Sequence, residues 1–85
     1  MEFILSEHAK CVLKERDIRE EWVWQTIRNS DRKERRSDNN IHYFKGIPEH
    51  GNRILHVVVN PDTIPPKVVT LFFDRKEGMR NEVKS

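Results

Sequence analysis

Two histidines are the side chains of this sequence best suited to proton transfer, because an imidazole titrates near neutral pH. His8 lies in "SEHAKCVLKERDI" (residues 6–18), two positions after Ser6, and His56 lies in the apolar run 53–60. If both reached one cleft, one could accept a proton while the other donated one. Each also has an ordinary structural interpretation, since His8 can orient a helix turn and a histidine within a strand is usually held by hydrogen bonds.

A metal site is the weaker interpretation of the same residues. His8 and Cys11 lie three positions apart, a spacing that can chelate from one helix face. The other histidines (His42, His50 and His56) are scattered over predicted strands and a loop, and no CxxC or HExxH pattern is present. We therefore predict no metal and no cofactor, and interpret Cys11 as a small, half-buried side chain.

Composition indicates one folded domain, residues 1–85, with a very polar surface. Hydrophobic residues make up 35% of the 85 positions and charged residues another 35%, and the apolar ones are gathered into a few segments. The formal net charge of +2 is too small to argue for nucleic acid by itself. The single cysteine, with no signal peptide or long apolar segment, predicts a cytoplasmic protein with no membrane partner.

Basic residues are concentrated in "RKERR", residues 32–36. Together with Tyr43, Phe44 and Lys45, this cluster could supply phosphate contacts and a stacking ring for single-stranded nucleic acid. The alternatives are a charged strand edge that resists aggregation and aromatic side chains that pack across strands. We predict no DNA partner.

Elements with a helical period come first in the chain. "EFIL" suits a short edge strand, and Ser6 suits the N-cap of a helix from about Glu7 to Arg16. Asp17 with Glu20 three residues later resembles an acidic capping box for a second helix, which "NSD" at residues 29–31 ends.

The rest of the chain has the period of two that is typical of strands. Turn formers separate four segments, 32–37, 41–47, 53–60 and 67–75. Alternation in the last two predicts one apolar face and one mixed face that holds His56 and Thr70. The sequence thus predicts an α+β fold with two N-terminal helices packed on a four- or five-stranded antiparallel sheet.

The chain resembles a family of domains of unknown function, number 4258, from about Leu5 to Arg75. The segments that carry the resemblance are "SEHA", "ERDI", "EEWV", "NSD", "YFKGIPEHGNRILHVVVNP" and "PPKVVTLFFDR", in this order and spacing. The resemblance implies a fold similar to the RelE and ParE toxins and to BrnT. Members of that wider group include ribonucleases and gyrase poisons that are usually paired with an antitoxin.

Several family positions match residues of this chain. They are His8, Arg16, Lys45, Thr70, Asp74 and Arg75. Three positions depart from the family pattern: Val12 stands where a second arginine is common, Asp17 where glycine is favoured, and Phe44 where tyrosine is frequent. The missing guanidinium and phenol remove two groups that could contact phosphate or transfer protons.

The leading functional prediction is a toxin-like protein that interacts with RNA or the ribosome, and a metal-independent ribonuclease in a toxin–antitoxin system is its sharpest form. Such chemistry needs groups that exchange protons and cations that face the phosphate. We assign proton transfer to His8 and His56, and substrate binding to Arg16, Lys45, Thr70 and Arg75. The alternative is a non-catalytic module that docks a partner protein through the mixed sheet face or an edge strand.

Overall fold

A computed structural model describes residues 3–74. Within that range, five strands form one sheet and two helices pack on one of its faces, so the predicted α+β class is confirmed. The elements are β1 (Ile4–Leu5), α1 (Glu7–Glu15), α2 (Glu20–Arg28), β2 (Arg32–Arg35), β3 (Ile41–Ile47), a 3-10 turn (Pro48–His50), β4 (Arg53–Asn60) and β5 (Lys67–Phe73).

The sheet is mixed, and the prediction of a purely antiparallel sheet was wrong. Its strand order is β1-β5-β4-β3-β2, and β1 runs parallel to β5. The amide of Ile4 donates to the carbonyl of Pro66, and the amide of Ser6 to that of Val68, both at 3.0 Å. Short connections make β2 to β5 run antiparallel to their neighbours. β1 pairs with β5, which is far from it in the sequence, so no short turn sets the direction of β1.

Helix α1 begins at the predicted cap. The Ser6 hydroxyl accepts from the amide of Ala9 at 3.0 Å and donates to the carbonyl of Val69 at 2.8 Å. One side chain therefore satisfies an amide of the first turn and fastens the helix to β5. Ala9 is fully buried, and Val12 and Leu13 pack against the core from the same helix face.

The corner between the helices corrects the role predicted for Asp17. It caps no helix: α2 begins after Arg19, which makes no side-chain capping bond. Instead, Asp17 follows the C-cap of α1 in the left-handed conformation, with a φ of 53°. The amide of Ile18 donates to the carbonyl of Leu13 at 2.9 Å, and that of Asp17 to the carbonyl of Lys14 at 3.4 Å. These bonds form a Schellman motif, in which this position favours glycine.

Replacement of Asp17 by glycine is expected to raise the free energy of unfolding by about 0.5–1 kcal/mol, because glycine adopts a positive φ without a Cβ clash. The Asp17→Ala variant is the matched control and should be less stable than the wild type. Urea denaturation of the three proteins measures both differences. Equal stabilities for the glycine and alanine variants would contradict the backbone explanation.

The hydrophobic core lies between the helices and one face of the sheet. Leu55 and Val57 are completely buried, and Val59 is 1% exposed. From the helices, Ala9 and Val23 enter the same cluster. Trp22 is buried and Trp24 is half-buried. Because side chains alternate along a strand, the residues between these core positions must point to the opposite face.

Candidate functional site

The face of the sheet that the helices do not cover carries a polar centre. We call it the open face. Its residues pair with one another across β3, β4 and β5 and alternate along each strand with residues of the helix-covered face. They are His42, Phe44, His56, Val58, Thr70 and Phe72. Phe44 stands opposite His56, which in turn stands opposite Phe72. The strand register therefore places an imidazole between two aromatic side chains.

Four titratable side chains form a continuous hydrogen-bonded chain on this face, which we call the histidine relay: Asp38, His42, His56 and Asp74. Nδ1 of His42 lies 2.7 Å from Nε2 of His56. Nε2 of His42 lies 3.0 Å from a carboxylate oxygen of Asp38, and Nδ1 of His56 lies 3.1 Å from one of Asp74. Both nitrogens of both rings are thus engaged.

Local structure explains how the carboxylates reach the two rings. Asp38 lies in the turn between β2 and β3, where its side chain accepts from the amide of Asn40 at 2.9 Å and Asn39 takes a positive φ of 65°. Four residues after Asp38, His42 presents its ring to that carboxylate. At the other end, Asp74 follows β5 directly, and its amide donates to the carbonyl of Ile54 at 2.8 Å. The turn before β3 and the end of β5 therefore position the two carboxylates of the relay.

Aromatic and cationic groups enclose the relay. The His56 ring lies 4.3 Å from the Phe44 ring and 4.6 Å from the Phe72 ring, measured between centroids. The guanidinium groups of Arg32 and Arg36 lie 4.2 Å and 5.4 Å from the Phe44 centroid. Only 3% of His56 and 6% of His42 is exposed. The outer end is more open, since the Asp38 side chain is 48% exposed.

The number of hydrogens in the relay follows from its three hydrogen bonds. Ionised carboxylates only accept, so each bond needs a hydrogen from a ring nitrogen. Two neutral imidazoles carry one such hydrogen each. With both carboxylates ionised, the three bonds of the relay therefore require one imidazolium, shared by His42 and His56. In that state the pair has one proton that it can release and later regain.

Two pKa values in the relay shift for identifiable reasons. Burial is the largest single cause of the lowered pKa of His56, and the hydrogen bond with the Asp74 carboxylate opposes it. Repulsion from His42 and Arg36 lowers this pKa further. The backbone hydrogen bond from Asn40 lowers the pKa of Asp38, and its hydrogen bond with His42 acts in the same direction. Asp38 is therefore ionised at neutral pH.

Stability is expected to fall as the pH drops below 6.5, the ordinary pKa of histidine. In that range His56 of the unfolded chain binds a proton. The imidazole of His56 in the folded chain has a lower pKa and resists protonation, so acid favours unfolding. One such group changes the free energy of unfolding by at most about 1.4 kcal/mol per pH unit. Urea denaturation at pH 7.5, 6.5 and 5.5 measures the slope. The His8→Gln control, at an exposed position outside the relay, should keep the slope of the wild type, whereas His56→Gln should flatten it.

The structure separates the two histidines that the sequence analysis assigned to proton transfer. His8 is exposed on α1, which packs on the core face through Ala9. His56 points to the other face, where its partners are His42 and Asp74. The sheet lies between the two imidazoles, so they do not form a common site in this structure.

The residues assigned to substrate binding are also distributed. Thr70 lies on the open face but stands opposite Val58, not opposite His56. Lys45 stands opposite the core residue Leu55, so its position in β3 belongs to the helix-covered face. Arg16 is exposed at the end of α1. Arg75 lies outside the described residues.

His42 is the functional candidate that the sequence analysis missed. It was considered only as a distant metal ligand, and His56 was considered without it. The register of β3 and β4 pairs His56 with Phe44 and leaves His42 diagonal to it on the same face. A usable signal exists in the sequence: "IHYF" and "RILH" are linked by one hairpin, and both histidines alternate with apolar core residues.

Comparison with known proteins identifies the family. The model of one family, Domain of unknown function (DUF4258), matches residues 5–73. The chain belongs to the DUF4258 family. The match spans every element from α1 to β5 and contains both histidines of the relay. No curated protein and no solved structure matches this DUF4258 domain.

Within residues 3–74, no group of three or more histidine, cysteine, aspartate or glutamate side chains is arranged to hold a metal ion. In the same range, neither helix has the length and hydrophobicity needed to cross a membrane.

Proposed function

We propose that this DUF4258 domain is a toxin-like, RNA-interacting protein that cleaves RNA without a metal ion. The observation that carries the proposal is the 2.7 Å contact between Nδ1 of His42 and Nε2 of His56, with a carboxylate at each end of the pair. General acid–base catalysis needs a group that exchanges protons near neutral pH, and a shared imidazole–imidazolium proton fulfils that need.

The proposed reaction balances with the groups on the open face. The 2′ oxygen bonds to the neighbouring phosphorus, and the bond from phosphorus to the 5′ oxygen breaks. The histidine pair releases its extra proton to the leaving 5′ oxygen and regains one from the 2′ hydroxyl. His42 exchanges these protons through Nε2, which gives up its hydrogen bond with the exposed Asp38 carboxylate for one with the RNA, while His56 and Asp74 hold the charge behind it. Arg32 and Arg36 stand over Phe44 on the same face, where guanidinium groups can stabilise a phosphorane.

Two features support the assignment to a toxin-like class. The helix pair on one face of a five-stranded sheet suits the RelE-like fold that the sequence resemblance implies. The open face is free of helices among residues 3–74, so an antitoxin could cover it. In this proposal the protein acts in the cytoplasm, on free RNA or at the ribosome.

The test is an RNA cleavage assay with the purified protein in excess chelator, with and without ribosomes. The expected products carry a 2′,3′-cyclic phosphate and a 5′ hydroxyl, because the 2′ oxygen is the nucleophile. Expression should slow growth, and expression of the His42→Asn variant should not. RNA that stays intact in both assays, together with unimpaired growth, would refute the proposal.

A second candidate function is favoured by the burial of the relay. His56 and His42 are 3% and 6% exposed, as expected for a polar network that only holds strands together. The domain would then dock a partner protein, through the exposed Phe72 or along β2 at the edge of the sheet. Co-purification separates the two functions. RNA that stays with the protein and is lost steeply as the salt concentration rises supports RNA binding. A protein complex that survives nuclease treatment supports docking.

A further inference from the structure

A second polar site lies away from the histidine relay, in a pocket of about 190 Å³. The pocket is found where β4 begins and β5 ends, beside the corner between α1 and α2. Its lining residues are Arg16, Ile18, His50, Arg53, Phe72 and Phe73. Three nitrogen-bearing side chains of this set come from three separate elements, and none of the lining residues that the structure describes is acidic.

The two arginines of this pocket differ from those of the open face in their ion pairing. Arg32 and Arg36 each lie 3.1 Å from a carboxylate oxygen of Glu34. Neither Arg16 nor Arg53 has a carboxylate within salt-bridge distance among residues 3–74. Two guanidinium groups at one concave site, with no carboxylate of residues 3–74 within salt-bridge distance, favour an anion.

Ring contacts hold His50 in place at this pocket. The imidazole of His50 stacks on Phe73 with centroids 4.5 Å apart and an angle of 24° between the planes. The Trp22 ring lies 5.6 Å from the same imidazole. The 3-10 turn that carries His50 is thereby fastened to both α2 and β5. His50 adds a third hydrogen-bond donor at a defined position.

We propose that Arg16, His50 and Arg53 form a binding site for a phosphate group of single-stranded RNA. The inference rests on the proposed function for the nature of the ligand, and it adds a phosphate site separate from the reacting one. Guanidinium groups bind phosphate oxygens in a bidentate manner, and neither Arg16 nor Arg53 is engaged by a carboxylate of the described residues. Phe72 lines this pocket, and its ring lies 4.6 Å from that of His56, so the site adjoins the relay.

Binding is measured apart from cleavage by using RNA that cannot be cleaved. The probe is a fluorescein-labelled single strand of ten nucleotides with 2′-O-methyl groups throughout, and anisotropy gives its Kd. The Arg16→Ala and Arg53→Ala variants should each weaken binding about tenfold, because each removes charge-assisted hydrogen bonds. Each should also reduce the slope of log K against log salt by about 0.7. Arg28→Ala, an exposed arginine at the end of α2, is the matched control and should stay within about twofold of the wild type.

The outcomes separate this inference from the proposed function. The phosphate site is overturned if Arg16→Ala and Arg53→Ala both bind the probe as tightly as the wild type. It is also overturned if Arg28→Ala loses as much affinity as those two variants, or if the wild type does not bind the probe. If binding depends on the two arginines but no RNA is ever cleaved, the site stands and the ribonuclease proposal fails. Probes with and without a 5′ phosphate show which phosphate the site binds. If the site binds a terminal phosphate, the affinity depends on the 5′ phosphate; if it binds an internal phosphodiester, the two probes bind equally.

Discussion

RNA cleavage is expected to fall by about 10²- to 10⁴-fold when His56 is replaced by asparagine, the range that general acid–base catalysis contributes. Asparagine retains hydrogen-bonding groups for the relay but cannot carry a proton near neutral pH. The His42→Asn variant should lose about as much, because the two imidazoles share one proton and act as a unit. Initial rates on a fluorogenic RNA substrate, with metal chelated, measure both effects.

His8 provides the decisive control for this prediction. It is exposed on the helix side of the sheet, and His8→Asn should leave the cleavage rate within about twofold of the wild type, as expected for a surface change. A large loss in His8→Asn with unchanged activity in His42→Asn would assign the chemistry to the other side of the molecule. The relay mechanism would then be wrong.

A variant at the exposed end of the relay guards against loss through misfolding. His56 is 3% exposed, so its replacement disturbs packing, whereas the Asp38 side chain is 48% exposed. Asp38→Asn can still accept from the amide of Asn40 and should fold with little loss of stability. Its amide cannot stabilise an imidazolium at His42, so the pH at which cleavage is fastest should shift to lower values. An unchanged pH profile would contradict the role of Asp38 in the relay.

Much of the fold could be predicted because it depends on local signals. Ser6 marks a helix start through its hydroxyl, and the change of hydrophobic period after residue 31 marks the strands. Asp17 misled the prediction because an aspartate suits both a cap and a left-handed C-terminal position, and only the chain direction after Arg16 decides between them. The direction of β1 depends on a partner about sixty residues away, which no local pattern specifies.

The candidate site was less predictable, since it depends on register and on which face each histidine takes. Alternation correctly placed His56 on the mixed face, yet its partner His42 could be found only from the pairing of β3 with β4. Asp38 reaches the pair because the turn before β3 folds back over the open face. The family resemblance pointed to His8 and Arg16, which lie on the helix side, while the relay is assembled from β3, β4, the turn before β3 and the residue that follows β5.

The free energy of unfolding is expected to fall by about 2–5 kcal/mol when Leu55 is replaced by alanine, because the side chain is 0% exposed and its removal leaves a cavity. Domains of this size are held by roughly 0.05–0.15 kcal/mol per residue, so this one change removes a large share of the total. Thermal unfolding should shift down by about 10 °C or more. Calorimetry and urea denaturation measure the change.

Ile64 offers a matched control for the same chemical truncation. It is 100% exposed in the turn before β5, and Ile64→Ala should change the free energy of unfolding by less than about 0.5 kcal/mol. Equal losses at the two positions would contradict the assignment of the core to the helix side. Leu55 also precedes His56 in β4 and points away from it, so cleavage per folded molecule at low temperature should survive Leu55→Ala. A variant that is folded but inactive would show that the relay depends on the core behind it as well as on its own hydrogen bonds.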